Sequence, residues 1–195
     1  MWQGLVLEAK SLACERGGRL VFENLNFSVK SGEVIELRGP NGAGKSSLLR
    51  MIAGLNKPAH GSLNVTSGVV NEQAHYIGHN EAIKPAFTVG ENLRFWQSFL
   101  GGTGEPALKP FRLEKLADDE ARLLSQGQKR RLALSRLVAV SRPIWLLDEP
   151  TVGLDKLALD DLCREIEIHL EKGGMVIAAT HADLGVQGIR LLELT

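Results

Sequence analysis

Alternating apolar and polar positions dominate the start of the chain. The runs "LVLEAKSLACERG" and "LVFENLNFSVKSGE" read as two strands whose turn falls at Gly17-Gly18. The next run, "VIELRG", is short, mostly apolar and ends in glycine, the pattern of a buried strand. A helix is predicted from about Ser46 to Ala53, stopped by Gly54. Strand character with weak turns runs from Gly61 to Ile77. From Pro85 to about Val140 the period becomes helical, interrupted by "LGGTGEPALKP", which reads as a surface loop. The runs "PIWLLD" and "GMVIAATH" are strands on either side of a helix from Lys156 to Glu171, and "IRLLELT" is a final strand. Apolar strands alternating with helices predict an α/β fold with a mostly parallel, buried sheet. The helical middle would form a smaller lobe.

Composition changes this picture little. The 195 residues suit one domain, or one domain with a small lobe, and 44% apolar against 24% charged is ordinary for a soluble globular chain. Basic and acidic residues balance at 23 each, which argues against a nucleic-acid partner. Cys14 and Cys163 stand alone, so each is expected to be a reduced, buried small side chain. The opening "MWQGLVLEAK" lacks the basic-then-apolar pattern of an export signal. Nothing approaches the ~18 consecutive apolar residues of a membrane span. The chain is expected to be cytoplasmic, with any membrane connection made through a partner.

The chemistry concentrates in short motifs. "GPNGAGKS", Gly39 to Ser46, matches GxxxxGK[ST] between a predicted strand and a predicted helix. Its glycines allow backbone N–H groups to wrap phosphates, Lys45 supplies a point charge, and the Ser46 hydroxyl is a Mg²⁺ ligand. "IWLLDEP" ends an apolar strand in two carboxylates: Asp148 would hold Mg²⁺, directly or through water, and Glu149 would polarise an attacking water. "LLSQGQKRRLALSR" opens a basic helix from a Ser-Gln-Gly loop, a second anion site by its free amides and helix dipole. The basic run Lys129–Arg131 is read as a solvated or dimer-facing surface.

In this order, "GPNGAGKS", "LLSQGQKRR", "IWLLDEPTVGLD" and "AATH" resemble the ATP-binding cassette (ABC) ATPase family over essentially the whole chain. The resemblance implies a P-loop NTPase core with a mostly parallel sheet, an N-terminal antiparallel β subdomain and a small helical lobe. It implies one nucleotide-binding domain over residues 1–195, with the core at about 1–84 and 141–195 and the lobe at about 85–140. ATP would be held by Gly39, Pro40, Asn41, Gly42, Ala43, Gly44, Lys45, Ser46 and Ser47. Two cassettes would pack head to tail, so that Ser125 and Gly127 of one copy meet the γ-phosphate bound by the other. That explains a second anion site in one small chain. The family pattern is LSGGQ; Gln126 replaces its third position and is expected to be tolerated, because serine and backbone meet the phosphate. His181 resembles the family's switch histidine, and "GLD", Gly153 to Asp155, the loop that couples the two sites. Where the family has a glutamine near Mg²⁺, this chain has His79, a poor ligand for a hard cation, expected to act through water or as a coupling contact. Arg16 stands where an aromatic residue stacks on adenine; a guanidinium plane also stacks on a base, the alternative being a weak nucleotide grip with little base discrimination.

Within the family, "YIGHNEAIKPAFTVGENLRFW", "RPIWLLDEP" and "GGMVIAATH" resemble the ATP-binding subunits of bacterial cytochrome c maturation systems. The implied protein is peripheral on the inner face of the cell inner membrane, bound to integral membrane subunits. Its ATP hydrolysis would drive haem export, or release of haem from a periplasmic chaperone. None of the five histidines lies in a CxxCH motif, so no direct haem binding is expected. The alternatives are another ABC transporter, a soluble ABC ATPase of DNA repair or translation, which would carry tandem cassettes or long coiled coils, and a small P-loop kinase, which would lack "LSQGQ" and Glu149.

Overall fold

The structure is a computed structural model that describes residues 2–180, 182 and 184–195. The chain divides into two compact units: Met1–Gly78 with Arg142–Pro150 and Glu167–Thr195, and His79–Ser141 with Thr151–Ile166.

The first unit holds two sheets. Strands β1 (Val6–Arg16), β2 (Arg19–Lys30) and β4 (His60–Val65) form an antiparallel sheet in the order β2-β1-β4. The β1–β2 turn falls at Gly17 and Gly18, with Arg16 opposite Arg19 and φ of 58° and 72°. Both values suit a primed turn, whose twist matches that of the strands it joins. Strands β3 (Val34–Arg38), β5 (Ala74–Ile77), β6 (Ile144–Asp148), β7 (Met175–Ala179) and β8 (Arg190–Glu193) form a second, wholly parallel sheet in the order β5-β6-β7-β3-β8. Its central strands β6 and β7 are buried along their length, as parallel strands covered on both faces must be. Helix α1 (Lys45–Ile52) packs Leu48, Leu49 and Ile52 into the same core as Leu7, Ile35, Leu37, Leu146 and Ile177. Each such leucine or isoleucine contributes about 1.5–3 kcal/mol by leaving water.

Among the buried titratable groups of this unit is His169. His169 lies against Trp145, ring centroids 3.9 Å apart and planes at 12°. Its Nε2 donates to the carbonyls of Pro143 (3.1 Å) and Met175 (3.3 Å). Burial is the main cause that pushes its pKa from 6.5 down to about 4, outweighing the two backbone hydrogen bonds, which favour the charged ring. Gly174 is required beside it, because a Cβ there would sit 2.2 Å from the ring.

The second unit is helical. Helix α2 (Val89–Phe99) starts at Thr88, which forms a capping box with Glu91. The buried Asn92 amide donates to the carbonyls of Lys84, Phe87 and Thr88 and accepts from the Lys84 N–H, tying the preceding loop to the helix. Three single-turn 3-10 helices follow, Lys109–Phe111, Glu114–Leu116 and Ala121–Leu123, before α3 (Gln126–Ala139). The helical run expected from Pro85 to Val140 is thus broken well beyond "LGGTGEPALKP". Pro110 offers no N–H, and Arg112 takes a left-handed φ of 54°, so no long helix propagates there. Phe111, Leu113, Leu124, Leu132 and Leu137 are buried. Helix α4 (Lys156–Glu171) begins in the second unit and ends in the first.

Candidate active site

Strand β3 delivers the chain into the loop from Gly39 to Gly44, which opens α1. Gly39 has φ 139°, and a Cβ there would lie 2.2 Å from the carbonyl oxygen of Leu194, so only glycine fits beside the chain that follows β8. Gly42 has φ 88° and open space around it, so its exposed face leaves room for a ligand. Gly44 precedes α1 with no side-chain cap, and no acidic residue occupies the first turn. The helix therefore begins with amides that a phosphate can satisfy. Pro40, Asn41 and Gly42 are exposed; Ala43 and Ser47 are buried, and Ser47 hydrogen-bonds the Cys14 side chain. Burial pushes the Cys14 thiol up, the Ser47 bond opposing it.

The Lys45 ammonium folds over this loop, donating to the carbonyls of Gly39 (2.6 Å) and Pro40 (3.0 Å). The Ser46 hydroxyl donates to Asp148 Oδ1 at 3.0 Å. Asp148 is 5% exposed and ends β6. A hydroxyl and a carboxylate are hard oxygen donors, the set that suits Mg²⁺. Tyr76 of β5 donates to Asp148 Oδ2 at 3.2 Å and accepts from Arg50 Nε at 3.3 Å. Burial, first among several causes, pushes the Tyr76 phenol up and keeps its proton on oxygen. Tyr76 and Arg50 were not among the sequence candidates. The signal lay in β5, where Tyr76 precedes His79 by three residues on a strand whose pairing was not legible.

Glu149 follows in a left-handed conformation (φ 48°), its N–H donating to Ala179 O at 2.8 Å. A non-glycine residue before proline rarely adopts this backbone, so the turn that carries the second carboxylate is strained. His181 lies outside the described residues. Arg16 is exposed at the end of β1.

The remaining candidates belong to the second unit. His79 is exposed, just beyond β5. Ser125 caps α3: its hydroxyl accepts from the Gln128 N–H (3.3 Å) while the Gln128 side chain accepts from the Ser125 N–H (2.8 Å). The Ser125 hydroxyl keeps its own proton to donate. Gln126, the unusual third residue of the loop, is exposed and takes no part in the cap. Gly127 passes Gly153, where a Cβ would lie 3.1 Å from the Gly153 carbonyl oxygen, so the serine loop and "GLD" touch. The basic run differs from expectation. Arg130 is 4% exposed while Lys129 and Arg131 are half-buried, Arg131 reaching Phe111 O at 3.5 Å, so the reading as a solvated face fails at Arg130. The period of α3 turns Arg130 inward with Ala133, Leu134 and Leu137.

The second unit also carries a hollow of about 560 Å³ lined by Phe87, Glu91, Arg94, Phe95, Ser98 and Phe99. Phe95 and Phe99 stack, and the Lys84 ammonium lies 4.2 Å from the Phe95 ring.

Known proteins resemble the chain closely. The sequence profile of the ABC transporter family matches residues 22–152. The chain is 46% identical over 200 residues to the cytochrome c biogenesis ATP-binding export protein CcmA of Paramagnetospirillum magneticum, covering 95% of this chain and 92% of that protein. It is 49% identical over 195 residues to the protein of that name from Rhodopseudomonas palustris, covering 95% and 94%. Among solved structures, an ATP-binding subunit of an ABC transporter superposes with a TM-score of 0.82 at 28% identity, over 90% of this chain and 80% of that one.

Proposed function

The chain belongs to the ABC transporter family, and from that premise we propose that it powers a membrane complex of cytochrome c maturation which exports haem or releases it from a periplasmic chaperone. It is the ATP-hydrolysing subunit of an ABC transporter. The observation that carries the reading is the meeting of Ser46 with Asp148 beside the loop that Lys45 spans, within a chain matched over 95% of its length by cytochrome c biogenesis proteins.

The chemistry follows from the donors. Lys45 and the amides of Gly39–Ser47 hold the triphosphate of ATP. Ser46 and Asp148 would hold Mg²⁺, which would supply positive charge against the negative charge developing on the phosphate oxygens. Glu149 accepts a proton from the attacking water and aligns it with the terminal phosphorus. His181 and, from a second copy of this chain, Ser125 and Gly127 stabilise the negative charge that accumulates there. ATP thereby joins two copies, and hydrolysis releases them. Arg16 stacks on the base, and His79 acts through water or as a contact that couples the site to the membrane subunits.

The aromatic hollow around Phe95 supports attachment to those subunits, and among the described residues no helix is long and apolar enough to cross a membrane. The place proposed for the protein is peripheral, on the cytoplasmic face of the membrane that holds those subunits. Affinity purification from membranes, with identification of the co-purifying subunits, tests the reading. Recovery of haem-handling membrane proteins is expected; an unrelated permease would overturn the cytochrome c assignment and leave the ATPase standing.

A further inference from the structure

Asp148 is gripped at both ends. Ser46 Oγ donates to Oδ1 at 3.0 Å and Tyr76 Oη donates to Oδ2 at 3.2 Å. Tyr76 in turn accepts from Arg50 Nε at 3.3 Å. Ser46 and Arg50 are four residues apart on α1, so one helix face supplies both ends of the chain of hydrogen bonds. The result is a closed ring: α1 through Ser46 to β6, across to β5 through Tyr76, and back to α1 through Arg50. Strand register explains why Tyr76 is the partner. Tyr76 pairs with Leu146, and Leu146 and Asp148 point to the same sheet face. Neither neighbour of Tyr76 in β5 would serve, because His75 and Ile77 point to the other face.

A carboxylate held at one oxygen rotates about its Cβ–Cγ bond; held at both it does not. We infer that Tyr76, backed by Arg50, is a positioning residue that locks the Asp148 carboxylate so that Oδ1 stays with the Ser46 hydroxyl in the orientation needed to hold Mg²⁺. In this role the phenol acts indirectly, through its hydrogen bond to Asp148 Oδ2. This rests on the proposed role of Ser46 and Asp148 as the Mg²⁺ donors.

The test uses the full chain assembled with its membrane subunits and a slowly hydrolysed fluorescent ATP analogue. Its affinity is measured in EDTA and again in saturating Mg²⁺, and the ratio is the gain due to metal. Tyr76→Phe should leave the metal-free affinity within about twofold and cut the metal-dependent gain about tenfold, the usual size when a residue supporting a ligand is lost. The Mg²⁺ concentration giving half-maximal hydrolysis should rise in parallel. Asp148→Asn and Ser46→Ala separate the possible failures. If they abolish the gain while Tyr76→Phe keeps it, the inference falls and the metal site stands. If they too keep it, both fall. A Tyr76→Phe variant that loses metal-free affinity equally marks the phenol as simple packing and also overturns the inference. Should that variant not fold, Arg50→Met carries the test, with a smaller loss of gain expected and an unchanged gain fatal.

Discussion

Glu149 sits where a strand ends in a strained, left-handed residue beside a buried Asp148, and the proposed mechanism gives the two carboxylates different duties. Replacing Glu149 by Gln keeps shape and hydrogen-bonding reach but removes the basic oxygen. Phosphate release should fall by about 10²–10⁴, the usual range for a lost general base, while ATP still binds and the ATP-joined pair accumulates on size exclusion. Full activity would remove Glu149 from its assigned role. Lys45→Ala should abolish hydrolysis, since no other cation donates to the Gly39 and Pro40 carbonyls among the described residues. At position 79, glutamine in place of histidine should change ATPase rate or transport; if both are unaltered in the assembled complex, His79 has no special part.

Elements add effects that single side chains do not. Helix α3 rests on a reciprocal cap between Ser125 and Gln128. Gln128→Ala removes one half of that box and should cost about 0.5–1 kcal/mol in thermal unfolding, with hydrolysis largely kept. Ser125→Ala should lose a comparable stability and, in addition, most of the hydrolysis that depends on a second copy. Helix α4 brings His169 against Trp145, and its pKa near 4, against 6.5 for the unfolded chain, means that the folded state binds fewer protons in that interval. The histidine's contribution is complete above pH 6.5 and is lost as pH falls from 6.5 to about 4. The loss is on the order of 3 kcal/mol across that window. Denaturant melts at pH 7.5 and pH 4.5 should show it, and His169→Gln should flatten the difference.

At the scale of the whole molecule, the proposed sharing of a site between copies would make hydrolysis depend on concentration. Specific ATPase activity of the isolated chain should fall on dilution and recover when ATP and chain are both raised; constant specific activity at every dilution would rule out the shared site. Turnover of ATP against GTP reads the grip of Arg16 on the base, and near-equal rates would leave it no role in choosing between them.

Much of this was open to reading from residues in a row. The strand–turn–strand at Gly17-Gly18, the phosphate loop opening α1, the Asp148-Glu149 pair closing β6 and the span of α4 are local patterns, in which the period of apolar positions or a run of glycines determines the backbone. The capping box of α3 was as local, written in Ser125 and Gln128, yet was hidden behind the motif that contains it. Other features exist only because distant segments meet. Gly39 is needed because the chain after β8 passes at Leu194. His169 is neutral because burial in the folded chain, with Trp145 stacked on its ring, outweighs the Pro143 and Met175 carbonyls, which favour the charged form. Arg130 is buried though its neighbours read as a basic surface. Tyr76 reaches Asp148 because β5 pairs with β6 in one register, and a shift of one residue would turn it to the opposite face. Local periodicity states which face of a strand is apolar; which strand lies beside it, and in what register, is settled only by packing over the whole fold.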